Sequence, residues 1–197
     1  MTFSKLVVGL VLVQLLLWEQ FGLAANVGCF EYRVLATKKT STMQKELNEA
    51  GTEGFRFEAV MGGETSWGGS EAVVVISRER AAEKKPSFEY KLLATNKTST
   101  MQKEMQQAAD GGFEYKGQTV FETSFGGKEV VVIMERDRDV KPTRHEYKLL
   151  ATSKTSTMQK ELLEAAEAGF QFVGLTVAET SFGGKELVTI VRRDEGR

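Results

Sequence analysis

Lys39-Thr-Ser-Thr-Met-Gln-Lys-Glu46 decides how this chain is read, because the same run returns at 97–104 and at 154–161. Working outward, each copy is followed by Glu-Thr-Ser-x-Gly-Gly-x-Glu, at 64–71, 122–129 and 179–186. Laying Tyr32, Tyr90 and Tyr147 over one another aligns about fifty residues per copy without a gap. Self-similarity at this period marks a small supersecondary unit in tandem. The copies also act as controls on one another, since a residue present in only one cannot serve a site that all three share.

One copy reads as strand, helix, strand, strand. Tyr32–Thr37, Tyr90–Thr95 and Tyr147–Thr152 open the units as strands, and a polar Lys-Thr-Ser-Thr loop follows. Met43, Leu47, Ala50 and Gly51 then recur at helical spacing, as do Met101, Met105, Ala108, Ala109 and Met158, Leu162, Ala165, Ala166. Ser41 with Gln44, Ser99 with Gln102 and Ser156 with Gln159 have the spacing of a capping box. Gly54, Gly112 and Gly169 are expected to stop the helices in the left-handed conformation. Phe55 and Phe57, Phe113 and Tyr115, and Phe170 and Phe172 alternate as a strand does, and each Gly-Gly pair marks a hairpin turn.

The last strand of each copy, Ala72–Ile76, Val130–Met134 and Leu187–Val191, is nearly all apolar. Strands without alternation are buried on both faces. One helix covers one face, so the other should meet a neighbouring repeat or a partner subunit. The expected fold is α+β, with three β-α-β-β repeats at 29–80, 87–138 and 144–195 whose sheets pack against each other or against a partner. A helix of about 12 residues spans about 18 Å, roughly one strand length. It therefore returns the chain to its starting edge, so the first two strands of a copy should run parallel. The Lys-Thr-Ser-Thr loop and the hairpin then share an edge.

Residues 1–24 lie outside the repeat. Met1–Lys5 carries one positive charge, Leu6–Trp18 is apolar, and small residues follow at Gly22, Ala24 and Ala25. The run is too short for the ~20 apolar residues of a spanning helix and reads as a secretory signal peptide. Export to the periplasm or the extracellular space is expected, with membrane attachment limited to this segment or a lipid. Cys29 is the single cysteine, and Gly28 before it partly fits a lipidation signal, so Cys29 is a candidate lipidation site beside its plainer reading as a free thiol. The net charge of −1, with both signs scattered through every copy, lacks the basic footprint of a nucleic-acid binder.

Glu31-Tyr32-Arg33-Val34, Glu46-Leu47-Asn48 with Gly51 and Gly54, and Phe55 resemble a small family of bacterial domains of unknown function. That family has Glu-Tyr-Lys-Val near its start and Glu-Leu-Asn-x-x-Gly-x-x-Gly before an aromatic residue. The likeness recurs in the later copies and covers nearly all of the chain after the leader. It implies the β-α-β-β fold and carries no catalytic residues. The family has Trp where this chain has Phe55, Phe113 and Phe170, and it is usually a single short domain, so triplication behind an export signal is a departure.

Candidate ligand-binding residues lie at the shared edge. Lys39, Thr40, Ser41 and Thr42 precede a helix whose free N–H groups suit an anion, as do Lys97, Thr98, Ser99 and Thr100 and Lys154, Thr155, Ser156 and Thr157. Capping alone explains the same hydroxyls. Trp67, Phe125 and Phe182 at the hairpin tips are candidate stacking platforms, with burial over Met43, Met101 and Met158 as the alternative. Glu64 with Glu71, Glu122 with Glu129 and Glu179 with Glu186 offer a weak calcium arrangement, against plain solvation or salt bridges, and no metal site is assigned. His145 replaces Phe30 and Phe88, belongs to no repeated site and is expected at the surface of a strand end. No phosphate loop or dinucleotide fingerprint occurs. The reading is an exported, non-catalytic binding module with no cofactor and an unidentified protein or small-molecule partner; the alternative is a structural envelope or scaffold protein.

Overall fold

A computed structural model describes residues 29–65, 69–80, 85–122, 128–179 and 184–194. The first unit comprises β1 (Phe30–Thr37), α1 (Thr40–Thr52), β2 (Arg56–Thr65) and β3 (Gly69–Glu79). The second comprises β4 (Phe88–Thr95), α2 (Thr98–Asp110), β5 (Glu114–Glu122) and β6 (Lys128–Asp137). The third comprises β7 (His145–Thr152), α3 (Thr155–Glu167), β8 (Gln171–Glu179) and β9 (Lys185–Asp194). The protein is α+β, built from three similar units, each a three-stranded antiparallel sheet with one helix.

The most apolar strand takes the centre of each sheet. The orders are β1-β3-β2, β4-β6-β5 and β7-β9-β8, and every pairing is antiparallel. Because β1 and β2 are each antiparallel to β3, they run parallel to one another, as the helix length requires. Val130–Met134 of β6 are buried on both faces, while β3 still alternates, with Ala72, Val74 and Ile76 buried and Val73 and Val75 half-buried.

Glycine ends each helix where the sequence places it. Gly54, Gly112 and Gly169 have φ of 89°, 82° and 82°, a conformation that side chains rarely adopt. The next residue closes the turn: the N–H of Phe55, Phe113 and Phe170 donates to the carbonyls of Ala50, Ala108 and Ala165.

The helix starts differ from expectation. Lys39, Lys97 and Lys154 are the N-caps, extended in backbone and making no side-chain cap bond, so Thr-Ser-Thr forms the first helical turn rather than a loop. No capping box forms. The turn is fixed one step earlier, where the N–H of each lysine donates to Oγ1 of Thr37, Thr95 or Thr152, at 3.2, 3.1 and 3.3 Å. Gln44 and Gln102 bond the edge strand of the next unit instead, while Gln159 is exposed on α3. Oε1 of Gln44 accepts from the Leu92 N–H at 2.9 Å, and Oε1 of Gln102 from the Leu149 N–H at 2.7 Å.

These bonds belong to a contact made twice. Met43, Leu47 and Ala50 of α1 share one buried cluster with Ala72, Val74 and Ile76 of their own sheet and with Phe88, Tyr90, Val131 and Ile133 of the next. Met101, Met105, Ala108 and Ala109 of α2 are likewise buried with Val132 and Met134 behind them and Tyr147, Val188 and Ile190 ahead. Beside the apolar contact runs a row of amides. Asn48 takes the Tyr90 N–H on Oδ1 at 2.9 Å and donates to the Tyr90 carbonyl at 3.0 Å. Gln106 does the same to the Tyr147 N–H and the His145 carbonyl, both at 3.1 Å. An edge strand's unpaired backbone is thereby satisfied by the preceding helix. Tyr90 and Tyr147 are each 2% exposed, whereas Tyr32, at the same place in the first unit, is 63% exposed.

Candidate functional site

Each of the three units carries the same polar run at the start of its helix. Within a sheet, Thr37 pairs with Ala72 and Glu64 with Ser70, so the start of the helix and the hairpin lie at the same edge. Between units, like meets like. The Gly62 N–H donates to Thr119 Oγ1 at 2.7 Å, and a Cβ on Gly62 would meet the Val120 carbonyl oxygen at 2.1 Å. A Cβ on Gly117 would meet the Phe57 ring at 2.7 Å. Neighbouring second strands therefore touch at nearly corresponding residues.

At this edge Lys39, Lys97 and Lys154 and the following Ser41, Ser99 and Ser156 are exposed, as is Thr155. Thr40, Thr42, Thr98, Thr100 and Thr157 are half-buried in the first turn. No acidic residue stands in any first turn, so each helix start keeps its partial positive charge beside a lysine. A depression of about 10 Å³ lies beside Lys97 and Thr98. Trp67, Phe125 and Phe182 lie outside the described residues, as do the side chains of Glu64, Glu122 and Glu179, so the calcium arrangement does too. Cys29 is exposed as a free thiol, and its carbonyl accepts from the Arg80 N–H at 2.9 Å. Residues 1–24 are outside the described range, and no described helix is long and apolar enough to cross a membrane.

The opposite edge carries a repeated arrangement that the sequence reading missed. Arg78, Arg136 and Arg193 lie over the rings of Phe55, Phe113 and Phe170, with guanidinium carbons 4.5, 4.7 and 4.6 Å from the centroids. Each donates from Nη1 to a carbonyl at the helix end, Glu53, Gly111 or Ala168, at 3.0, 2.9 and 2.9 Å. Each also donates to a carboxylate at the start of the unit, Glu31, Glu89 or Glu146. A cation here complements the negative end of the helix dipole. The hydrogen bond from Arg78 holds the Glu31 carboxyl below its usual range, Arg33 does so for Glu53, and Arg136 for Glu89. The signal was present, since Glu and Arg recur at these positions in all three copies.

Two clefts open on this side, one of about 570 Å³ lined by Glu53, Arg56, Phe57, Arg78, Lys85 and Phe88, and one of about 190 Å³ beside Lys116 and Glu135. Glu135 is buried at 3% exposure and well partnered. It accepts from the Tyr90 hydroxyl at 2.7 Å and the Phe57 N–H at 3.1 Å, with Lys116 Nζ at 3.4 Å. Burial and this carboxylate push the Tyr90 phenol far up. At the next joint Tyr147 has no such carboxylate and itself accepts the Tyr115 N–H at 2.8 Å. His145 is buried rather than exposed, because it fills the place of Phe88; its Nδ1 lies 2.9 Å from Asp194 and its Nε2 3.4 Å from Glu114. Glu135 and His145 have no counterpart in the other copies and belong to the joints.

No protein-family model matches the chain, and neither a curated protein nor a solved structure matches it.

Proposed function

We propose that this chain is an exported, non-catalytic interaction module that presents three equivalent polar edges, side by side, to a repetitive partner. The observation that supports it is the return of one exposed lysine, Lys39, Lys97 and Lys154, at the N-cap of each helix, in units that meet at nearly corresponding residues. In this reading the units form one continuous pile of alternating sheets and helices, not three domains each seeking a separate subunit. Each edge is weak alone, and three of them gain affinity by avidity. The ligand would be anionic, read by the helix starts and their lysines. The family resemblance agrees, since its shared residues build the fold and leave no catalytic set.

The test is a thermal-shift series on the full chain with inorganic phosphate, sulfate, calcium and anionic cell-wall fragments. A ligand at about 100 times its dissociation constant adds about 2.7 kcal/mol, which is readily seen. The reading expects a shift with an anionic polymer that disappears in the Lys39→Met, Lys97→Met, Lys154→Met triple variant. A shift that survives the triple variant, or none with any probe, would count against it. Cleavage of the leader is tested separately by mass spectrometry of the native N-terminus: a chain starting after Ala24 or Ala25 supports it, and an intact Met1 contradicts it. The scaffold reading is favoured by one observation: Gln44, Asn48, Gln102 and Gln106 are spent on joints between units rather than on an outward-facing site.

A further inference from the structure

We infer that the two ends of the molecule bind each other, so that copies of this chain associate head to tail through a third version of the joint already made twice within it. At each internal joint a helix and second strand meet the first and second strands of the following unit. The last unit offers the first half of that pair with no described residue seated on it. Leu163, Phe172, Leu175 and Val177 are exposed there, at the positions of Asn48, Phe57, Val60 and Gly62. Gln159, exposed on α3, corresponds to the bonding Gln44 and Gln102. The first unit offers the other half. Phe30, Tyr32, Val34 and Met61 are exposed, and their counterparts Phe88, Tyr90 and Thr119 are buried while Leu92 is half-buried.

Repeat proteins that remain single close their stacks with polar outer faces. Both ends here depart in the apolar direction: Leu163 stands for Asn48 and Gln106, and Met61 for Thr119 and Thr176. Tyr32 can accept the Phe172 N–H as Tyr147 accepts that of Tyr115, and Gln159 can take the Val34 N–H as Gln102 takes that of Leu149. Two differences make the outer joint weaker than the inner ones. Leu163 forfeits an amide pair, and Ala59 replaces the glycine of Gly117 and Gly174, so the Phe172 ring must shift to clear its methyl. The association is therefore reversible and concentration-dependent. The surfaces differ, so the contact is heterologous and grows as an open series unless it closes into a ring.

Sedimentation of the full chain with Val34→Glu and Leu175→Glu variants tests this. The wild type should gain mass with concentration beyond a dimer, or settle at a ring, and each variant alone should remain a monomer. An equimolar mixture of the two should form a dimer and stop, because one intact head meets one intact tail. Melting curves check folding, and Tyr32→Lys or Phe172→Lys replaces any variant that melts below the wild type. A wild type monomeric at every concentration overturns the proposal, the result expected if residues 1–28 cover the first sheet. So does a dimer that neither variant or only one disrupts, or a mixture that fails to associate. Loss of anion binding would leave this result untouched.

Discussion

Arg136 shows what one repeated residue contributes. Its guanidinium lies over the Phe113 ring, closes the helix end and binds Glu89. Arg136→Met removes both bonds and the cation over the ring, so it should cost about 1–2 kcal/mol in urea denaturation, with Arg78→Met and Arg193→Met similar. The pH dependence follows in sign. The Glu31, Glu53 and Glu89 carboxyls sit below their ordinary value of 4.5 when folded. Their contribution is complete above that value and is lost as pH falls through the lower folded values. Melting temperature should thus fall on acidification below about pH 4.5, less steeply in Arg78→Met. At the alkaline end, the phenols of Tyr90, Tyr115 and Tyr147 are pushed up chiefly by burial. A raised value means the neutral form favours folding, an advantage lost as pH rises past 10. Their phenolate absorbance should appear only as the chain unfolds; earlier appearance would show that the rings are accessible.

Two neighbouring glycines separate the joint from the strand that makes it. A Cβ on Gly62 would strike a backbone oxygen of the next unit, while one on Gly63 meets nothing within 4 Å. Gly62→Ala should therefore destabilise by about 1–3 kcal/mol and Gly63→Ala by no more than about 0.5, as read by chemical denaturation. Helix α2 gives the matching contrast. Gln102→Leu strips partners from the Leu149 N–H and the Tyr147 carbonyl and should cost about 1–3 kcal/mol. Gln159→Leu on α3, where the same residue is exposed, should change the stability of the dilute chain by less than about 0.5. Equal effects at the two glutamines would remove the special role given to the joints. The apolar stripe Met43, Leu47, Ala50 was legible because burial imposes its own period. The amide stripe was not, since a glutamine on a helix face reads as solvated until the strand it serves is known.

For the whole molecule, repetition made the architecture legible: a β-α-β-β unit, glycine stops and a parallel first and second strand all follow from spacing and length. Lack of alternation marked the last strand as buried, but its central place in the sheet is a finding of the structure. The helix start was misplaced by two residues because Thr37 rather than Ser41 fixes the turn, a choice that spacing does not reveal. The edge site remains a reading of exposed lysines and helix ends, and the aromatic tips that would sharpen it lie outside the described residues. Buried His145 was misread because only a neighbouring unit could bury a strand end.

The account turns on helices sealing the edge strand of the unit ahead. Amide hydrogen exchange in dilute solution reads this directly, by comparing Tyr90, Leu92, Tyr147 and Leu149 with Tyr32 and Val34. The first four should exchange only with global unfolding, and the last two should exchange freely, slowing as concentration rises and copies associate. Tyr90 and Leu92 exchanging as fast as Tyr32 and Val34 would contradict the account.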